Sequence, residues 1–360
     1  MSNTQSTSST NHLLTAGRLP RGSVWYILVG SWIASASFFG VLQLAGITSS
    51  FSAIGTAVCG TLLFDVVAYV VSRLIEGRRK ALDRLVTSLV VTAFVLALLP
   101  LISLGFTVIA QGAPRLDIEF VSSSMRNVLG SGGGVLHAII GTLEITAVAT
   151  LISVPIGLLT AIYLVEYGRG QVARLITIMV DVMTGIPPIV AGLFAYALFA
   201  VFFGPGVRSG FIGAIALSVL MIPIVVRSSE EILRLTPNEL REASYALGVP
   251  KWLTIVKIVL PTSLAGITTG VTLAVARVIG ETAPLLLTAG YTASMNYNIF
   301  DDRMATLPVY VYLQYSQQGP NGSDFINRAW TGALILILIV ALLNLIARVV
   351  ARVFSPKRSR

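Results

Sequence analysis

A chain of 360 residues that is 55% hydrophobic and only 11% charged, with a mean hydropathy of +0.84, carries more apolar surface than a soluble core of that size buries. This excludes an ordinary soluble domain and places the chain among membrane proteins. The single cysteine, Cys59, excludes a disulfide framework and a cysteine-rich metal site, and the net charge of +9 has no basic patch interleaved with aromatics that would fit nucleic acid.

Residues 1–23 are rich in Ser, Thr and Asn and are expected as a flexible tail, having too little apolar surface to offset the entropy of ordering. The apolar run from Val24 to about Gly46 resembles a signal peptide, with Ser35-Ala36-Ser37 imitating a cleavage site. It is long enough to span and more spans follow, so a retained helix is predicted. A second run covers Phe51 to Ile75, in which Cys59 is expected as a small buried packing residue. The cluster Arg78, Arg79, Lys80 and Arg84 then marks a cytoplasmic loop. Further runs at about 86–110, 137–165, 173–203, 211–229, 262–289 and 330–353 are each long enough for a roughly 30 Å hydrocarbon layer, giving an all-α integral membrane protein with about eight transmembrane helices.

An even number of spans puts both termini on one side. With that side cytoplasmic, only Arg115, Arg126, Arg208, Arg303 and Arg328 lie outside, Arg277 falls within the membrane, and the other Lys and Arg lie inside. Hydropathy and charge therefore agree. Two outer loops stand out: 111–136, and 290–329, which is too long for a plain connector and suits an extracytoplasmic partner. Gly132 to Gly134 form either a flexible entry turn or, less simply, an anion cradle at a helix start. His137 has no Cys, His or carboxylate at ligand spacing, so no metal site is expected. Pro155, Pro187, Pro188 and Pro223 are expected to kink or break helices.

The longest polar interruption, Leu235 to Pro261, reads as two short helices making a cytoplasmic knob. Thr236 would cap the first, with Pro237 at its first position and Glu239 in its first turn. Gly248-Val249-Pro250 ends it, and a second helix starts near Lys251 and runs toward the membrane. Leu240, Ala243 and Leu247 form a stripe that would also suit a helix lying on lipid.

Charges inside spans are costly and mark function by default. The candidates are Arg227, Glu230, Arg277 and Glu281, with Asp65, Glu144 and Asp181 weaker. Arg227 and Glu230 are three apart and Arg277 and Glu281 four apart, so each pair is expected to share a helix face. Two arginines and two carboxylates on one pathway suit an oxyanion that still carries a proton. Arginines donate to its oxygens, and a carboxylate accepts the hydrogen of phosphate but only repels sulfate. Two intrahelical salt bridges that merely offset burial are the plainer account of the same residues. No Ser/His or metal-carboxylate constellation fits an enzyme.

The residues Glu242-Ala243-Ser244, Gly248, Ile258, Leu260 and Pro261 match the E-A-A-x3-G-x9-I-x-L-P signature of ABC-importer permeases, with serine at the second alanine. The wider run SEEILRLTPNELREASYALGVPKWLTIVKIVLP, with ARVIGETAPLLLTAG, GIPPIVAGLFAY and GGGVLHAIIGTLE, resembles the PstA-type permeases of bacterial phosphate ABC transporters over about 81–355. The resemblance implies a cytoplasmic-membrane protein with a six-helix type I importer core at 81–360, preceded by a two-helix extension at 24–80 that departs from the family pattern. It makes 236–250 the coupling helix that seats on an ATPase, and makes Arg227, Glu230 and Arg277 residues of phosphate transport. It also implies a heterodimer with a PstC-type permease, a PstB-type ATPase dimer and an outer PstS-type phosphate-binding protein. No G-x-x-x-x-G-K-[ST] sequence occurs, so this chain is expected to be no enzyme and to hold no cofactor, with ATP and Mg bound by the ATPase. A permease for sulfate or molybdate and an ion-coupled secondary transporter are the alternatives.

Overall fold

The computed structural model describes residues 19–20, 22–47, 50, 52–128, 130–319 and 322–354. The N-terminal tail therefore lies largely, and the terminal SPKRSR wholly, outside the described residues. All regular structure among the described residues is helical. In order these helices are α1 (Ser23–Leu44), α2 (Ala53–Ile75), α3 (Arg78–Gly112), α4 (Ile118–Ser122), α5 (Leu136–Ile162), α6 (Gly170–Thr184), α7 (Pro188–Phe203) and α8 (Gly210–Arg234). There follow α9 (Asn238–Ala246), α10 (Lys251–Thr254), α11 (Leu260–Val278), α12 (Ala283–Thr288), α13 (Leu307–Ser316) and α14 (Gly322–Phe354). Seven stretches are long and apolar enough to cross a membrane, and α6 with α7 makes an eighth, bent by 109°.

That bend breaks the run 173–203 where Pro187 and Pro188 are expected to break it. Pro188 holds its predecessor out of helical geometry, and Pro187 sits at φ −59° and ψ 137°. Pro155 and Pro223, by contrast, lie inside α5 and α8, which remain helical through them. The run 262–289 is also interrupted, since α11 stops at Val278 and α12 begins at Ala283. The basic cluster at 78–84 is not a loop but the first turns of α3. The chain reverses at Glu76-Gly77 alone, where Gly77 has φ +88°.

The chain divides into two compact units, residues up to Gly105 and residues from Phe106. In the first, α1 and α2 pair through a close approach, Gly60 resting against Trp32 and the Ser35 hydroxyl donating to Thr56 O at 2.9 Å. Asp65, buried, accepts from Ser88. Glu76, whose side chain is buried, accepts from Ser72 at 2.9 Å and pairs with Arg84 at 2.8 Å. Cys59 is exposed on α2, which overturns its reading as a buried packing residue.

The second unit is built around α8. Ala214, Leu217, Met221 and Val225 of this helix pack with Ile145 and Ala149 of α5, Ala274 and Val278 of α11, and Leu285 of α12. In lipid the attraction between helices comes from close packing rather than from hydrophobic transfer, and small residues permit it. A Cβ at Gly157 of α5 would stand 2.7 Å from Val225 Cγ1, and one at Gly192 of α7 would stand 2.7 Å from Pro284 Cα. Both positions need glycine for this spacing.

Candidate functional site

Arg227 lies on α8, about 10 Å along the helix from its end at Arg234, taking 1.5 Å per residue. Its Nη1 donates to Glu230 Oε2 at 2.8 Å, as the three-residue spacing predicts. Its Nη2 donates to Asp181 of α6 and, at 3.5 Å, to Thr177 O. Glu230, with 8% of its side chain exposed, also accepts from Arg234 at 2.6 Å. Asp181, a weaker candidate by sequence, is thus a direct partner of Arg227. The guanidinium joins two helices, so the pair at 227 and 230 is part of a network and not an isolated intrahelical bridge.

Arg277 and Glu281 are arranged otherwise. The helix carrying Arg277 ends one residue later, and Glu281 falls in the break before α12, its N–H donating to Val278 O at 3.1 Å. The two side chains therefore do not share a continuous helix face, and among the described residues no ion pair joins them. Gly-Glu-Thr-Ala-Pro is the physical reason: glycine loosens the helix, and Pro284 suits the first turn of the next one. Arg277 is exposed and Glu281 half-buried.

The depth of Arg277 follows from the antiparallel packing of α8 and α11. Gly266 faces Ile232 and Gly270 faces Ser228. Seven residues beyond Gly270, Arg277 lies level with about Met221, midway along α8. Arg227 and Arg277 are therefore staggered by roughly 10 Å along the helix axes.

At the near end, α9, Gly248 (φ +75°) and α10 form the knob. Its start differs from expectation. Thr236 does not cap α9, because its hydroxyl bonds Ser263 Oγ at 2.8 Å; Pro237 occupies the cap position and Asn238 opens the helix. Glu242, Ala243 and Gly248 are exposed on the knob, whereas Ser244 is buried and bonds Thr254 Oγ1 at 2.7 Å. The serine in place of the signature alanine thus ties the two arms of the knob together. Ile258, Leu260 and Pro261 are not on the knob surface. They follow it, Ile258 in a π-helical turn (Ile255–Val259) and Leu260 and Pro261 in α11, with Leu260 packing against the cluster of Ala161, Leu233, Val259 and Ile267. Around the knob, Leu235, Tyr245, Leu247 and Trp252 present an exposed apolar surface.

The sequence model of the family described as "Binding-protein-dependent transport system inner membrane component" matches residues 153–360. The chain belongs to this family. Among its relatives, a protein of Mycobacterium tuberculosis called phosphate transport system permease protein PstA 1 is 46% identical over 292 residues, 80% of this chain and 95% of that one. The PstA protein of Mycobacterium leprae is 47% identical over 279 residues, 77% of this chain and 90% of that one. A chain from the crystal structure of a bacterial alginate ABC transporter with its pentasaccharide-bound periplasmic protein superposes with a TM-score of 0.54 at 14% identity. It covers 78% of this chain and 98% of its own length, a likeness of fold. This inner membrane component thus has the ABC-importer permease fold.

At the end of this transport component opposite the knob, Arg115 and Arg328, to which the sequence gives no role beyond lying outside, take part in the packing. The end of the glycine run is tied down by backbone hydrogen bonds. The N–H groups of Gly134, Val135 and Leu136 donate to Ser124 O, Phe120 O and Ser123 O, so these three are not open to an anion. Arg115 donates to Gly132 O, and Arg328 donates to Gly130 O at 2.8 Å and Gly132 O at 3.1 Å. Arg328 is 1% exposed and also donates to Gln314 Oε1 at 2.9 Å. His137 is buried between Tyr291 and Tyr310, with ring centroids at 6.1 and 5.7 Å. The loop 290–329 contributes α13, whose Leu307 N–H donates to Thr142 Oγ1 at 2.8 Å, so it is packed into the bundle.

Proposed function

We propose that this chain is the permease subunit of an ATP-driven importer of inorganic phosphate, forming the translocation path with a homologous PstC-type subunit. The observation that carries this reading is the identity with phosphate transport permeases. A 292-residue match within 360 residues necessarily takes in Arg227, Glu230, Arg277 and Glu281. Staggered arginines fit a relay, in which an oxyanion released from an outer PstS-type binding protein meets Arg277 first and Arg227 second. Arg277 is exposed on this chain alone, and a charge facing lipid at that depth costs at least about 2.5 to 3.5 kcal/mol. The face that carries it therefore suits a partner subunit and a water-lined path.

At the second arginine, phosphate exchanges with carboxylates already in place. Asp181 and Glu230 hold the Arg227 guanidinium as a substrate oxyanion would, so incoming phosphate displaces Asp181, the more exposed of the two. Glu230 then accepts the phosphate hydrogen, a contact that sulfate lacks. Energy arrives from a PstB-type ATPase dimer that binds ATP and Mg and seats the knob at Glu242, Ala243 and Gly248, with both termini of this chain on the cytoplasmic side. Uptake of labelled phosphate by proteoliposomes containing the complete complex tests this reading. ATP-dependent accumulation supports it, and uptake that continues without ATP contradicts it.

A further inference from the structure

The knob is fastened to more than its own hairpin. Helix α5 ends in a π-helical turn, Tyr163–Tyr167, and the side chain of Glu166 in that turn is 5% exposed. Its Oε1 accepts from Arg241 Nε of the knob at 3.0 Å and lies 2.9 Å from Nη2, an ion pair. The remaining Arg241 donors go to Thr236 O at 2.6 Å, Asn238 Oδ1 at 3.2 Å and Leu233 O at 3.0 Å. Four hydrogen bonds and the ion pair thus hold the guanidinium fork in place. From the other arm of the knob, Lys251 Nζ donates to Glu166 O and lies 4.9 Å from the Tyr167 ring centre. Both arms of the knob thus converge on one residue of α5.

The same turn reaches toward the arginine network. Leu164 packs in a small cluster with Val180 of α6 and Val226 of α8. These two valines are the immediate chain neighbours of Asp181 and Arg227. A π-helical turn has an extra residue in its hydrogen-bonded ring and is frequently found at functional sites.

We infer that Glu166 is a positioning residue for coupling. Movement of the knob is carried through the Arg241–Glu166 pair to the π-turn of α5, and through Leu164 to the contact between Asp181 and Arg227. This rests on the reading that the knob seats on an ATPase, and it adds a route through α5 that the α8–α11 hairpin does not require.

The test measures phosphate imported per ATP hydrolysed by the reconstituted complete complex, with wild type as reference and co-purification of the ATPase as a control. Glu166→Gln is expected to retain the ATPase and its hydrolysis while phosphate per ATP falls at least tenfold. Leu164→Ala, which leaves the ion pair intact, is expected to lower the same ratio. Combining Glu166→Arg with Arg241→Glu is expected to recover at least half of the wild-type ratio. An unchanged ratio in Glu166→Gln overturns the inference. So does loss of the ATPase in that variant, which would make the pair a support of the knob alone, and so does an assembled charge-swap complex with no recovery. A wild-type complex that imports no phosphate would instead count against the substrate reading.

Discussion

Replacing Arg227 by glutamine removes the donors to Asp181, to Glu230 at 2.8 Å and to Thr177 O at 3.5 Å. The fold should tolerate this. Asp181 is 60% exposed at its side chain and can be hydrated, and Glu230 keeps Arg234 at 2.6 Å. The loss falls on the substrate instead. Two charge-assisted hydrogen bonds to an oxyanion, each worth about 1.5–3 kcal/mol, amount to roughly 3–6 kcal/mol. At about 1.4 kcal/mol per factor of ten, phosphate uptake drops by about 10² to 10⁴. Arg227→Lys keeps the charge and loses the fork, so its deficit should be smaller. The assay is initial phosphate uptake into proteoliposomes, with co-purification of the other subunits as the measure of assembly. Uptake by an assembled Arg227→Gln complex within twofold of wild type would refute the role given to this arginine.

Arg277→Gln should likewise abolish uptake in a complex that still assembles, because the relay needs both positions; retained uptake would remove Arg277 from the path. Gly248→Asp places a side chain at φ +75° on the exposed tip of the knob and should dissociate or uncouple the ATPase, which a pulldown with an ATP-hydrolysis assay would report. Ser244→Ala restores the signature alanine but breaks the buried bond to Thr254. It should destabilise the knob by about 1 kcal/mol, read as a lower thermal unfolding midpoint of the purified complex.

The all-helical membrane fold was legible in the sequence because each span is an apolar run of sufficient length, a property of local composition. The breaks were partly legible. Pro187-Pro188 announces a bend but not its angle of 109°, and the Gly280 break that separates Arg277 from Glu281 is disguised by apolar flanks. Arg227 and Glu230 could be paired by spacing alone because both lie on α8. Asp181 could not be promoted, since its partnership depends on how α6 leans on α8, and that is tertiary. Arg241 and Glu166 are 75 residues apart and carry no motif between them. The cap at Thr236 was misread because Ser263, distant in sequence, offers its hydroxyl a better partner than the helix start does. Cys59 was misread because residues facing lipid are apolar too, so an apolar run does not tell the packed face of a helix from the exposed one.

The most direct test of the central claim is ATP-dependent accumulation of phosphate against sulfate by proteoliposomes that carry this chain with its partner permease, ATPase and binding protein. The account predicts accumulation of phosphate that needs ATP, fails with sulfate and is lost in both arginine variants. Accumulation of sulfate at a comparable rate, or of phosphate in the Arg227→Gln and Arg277→Gln complexes, would contradict it.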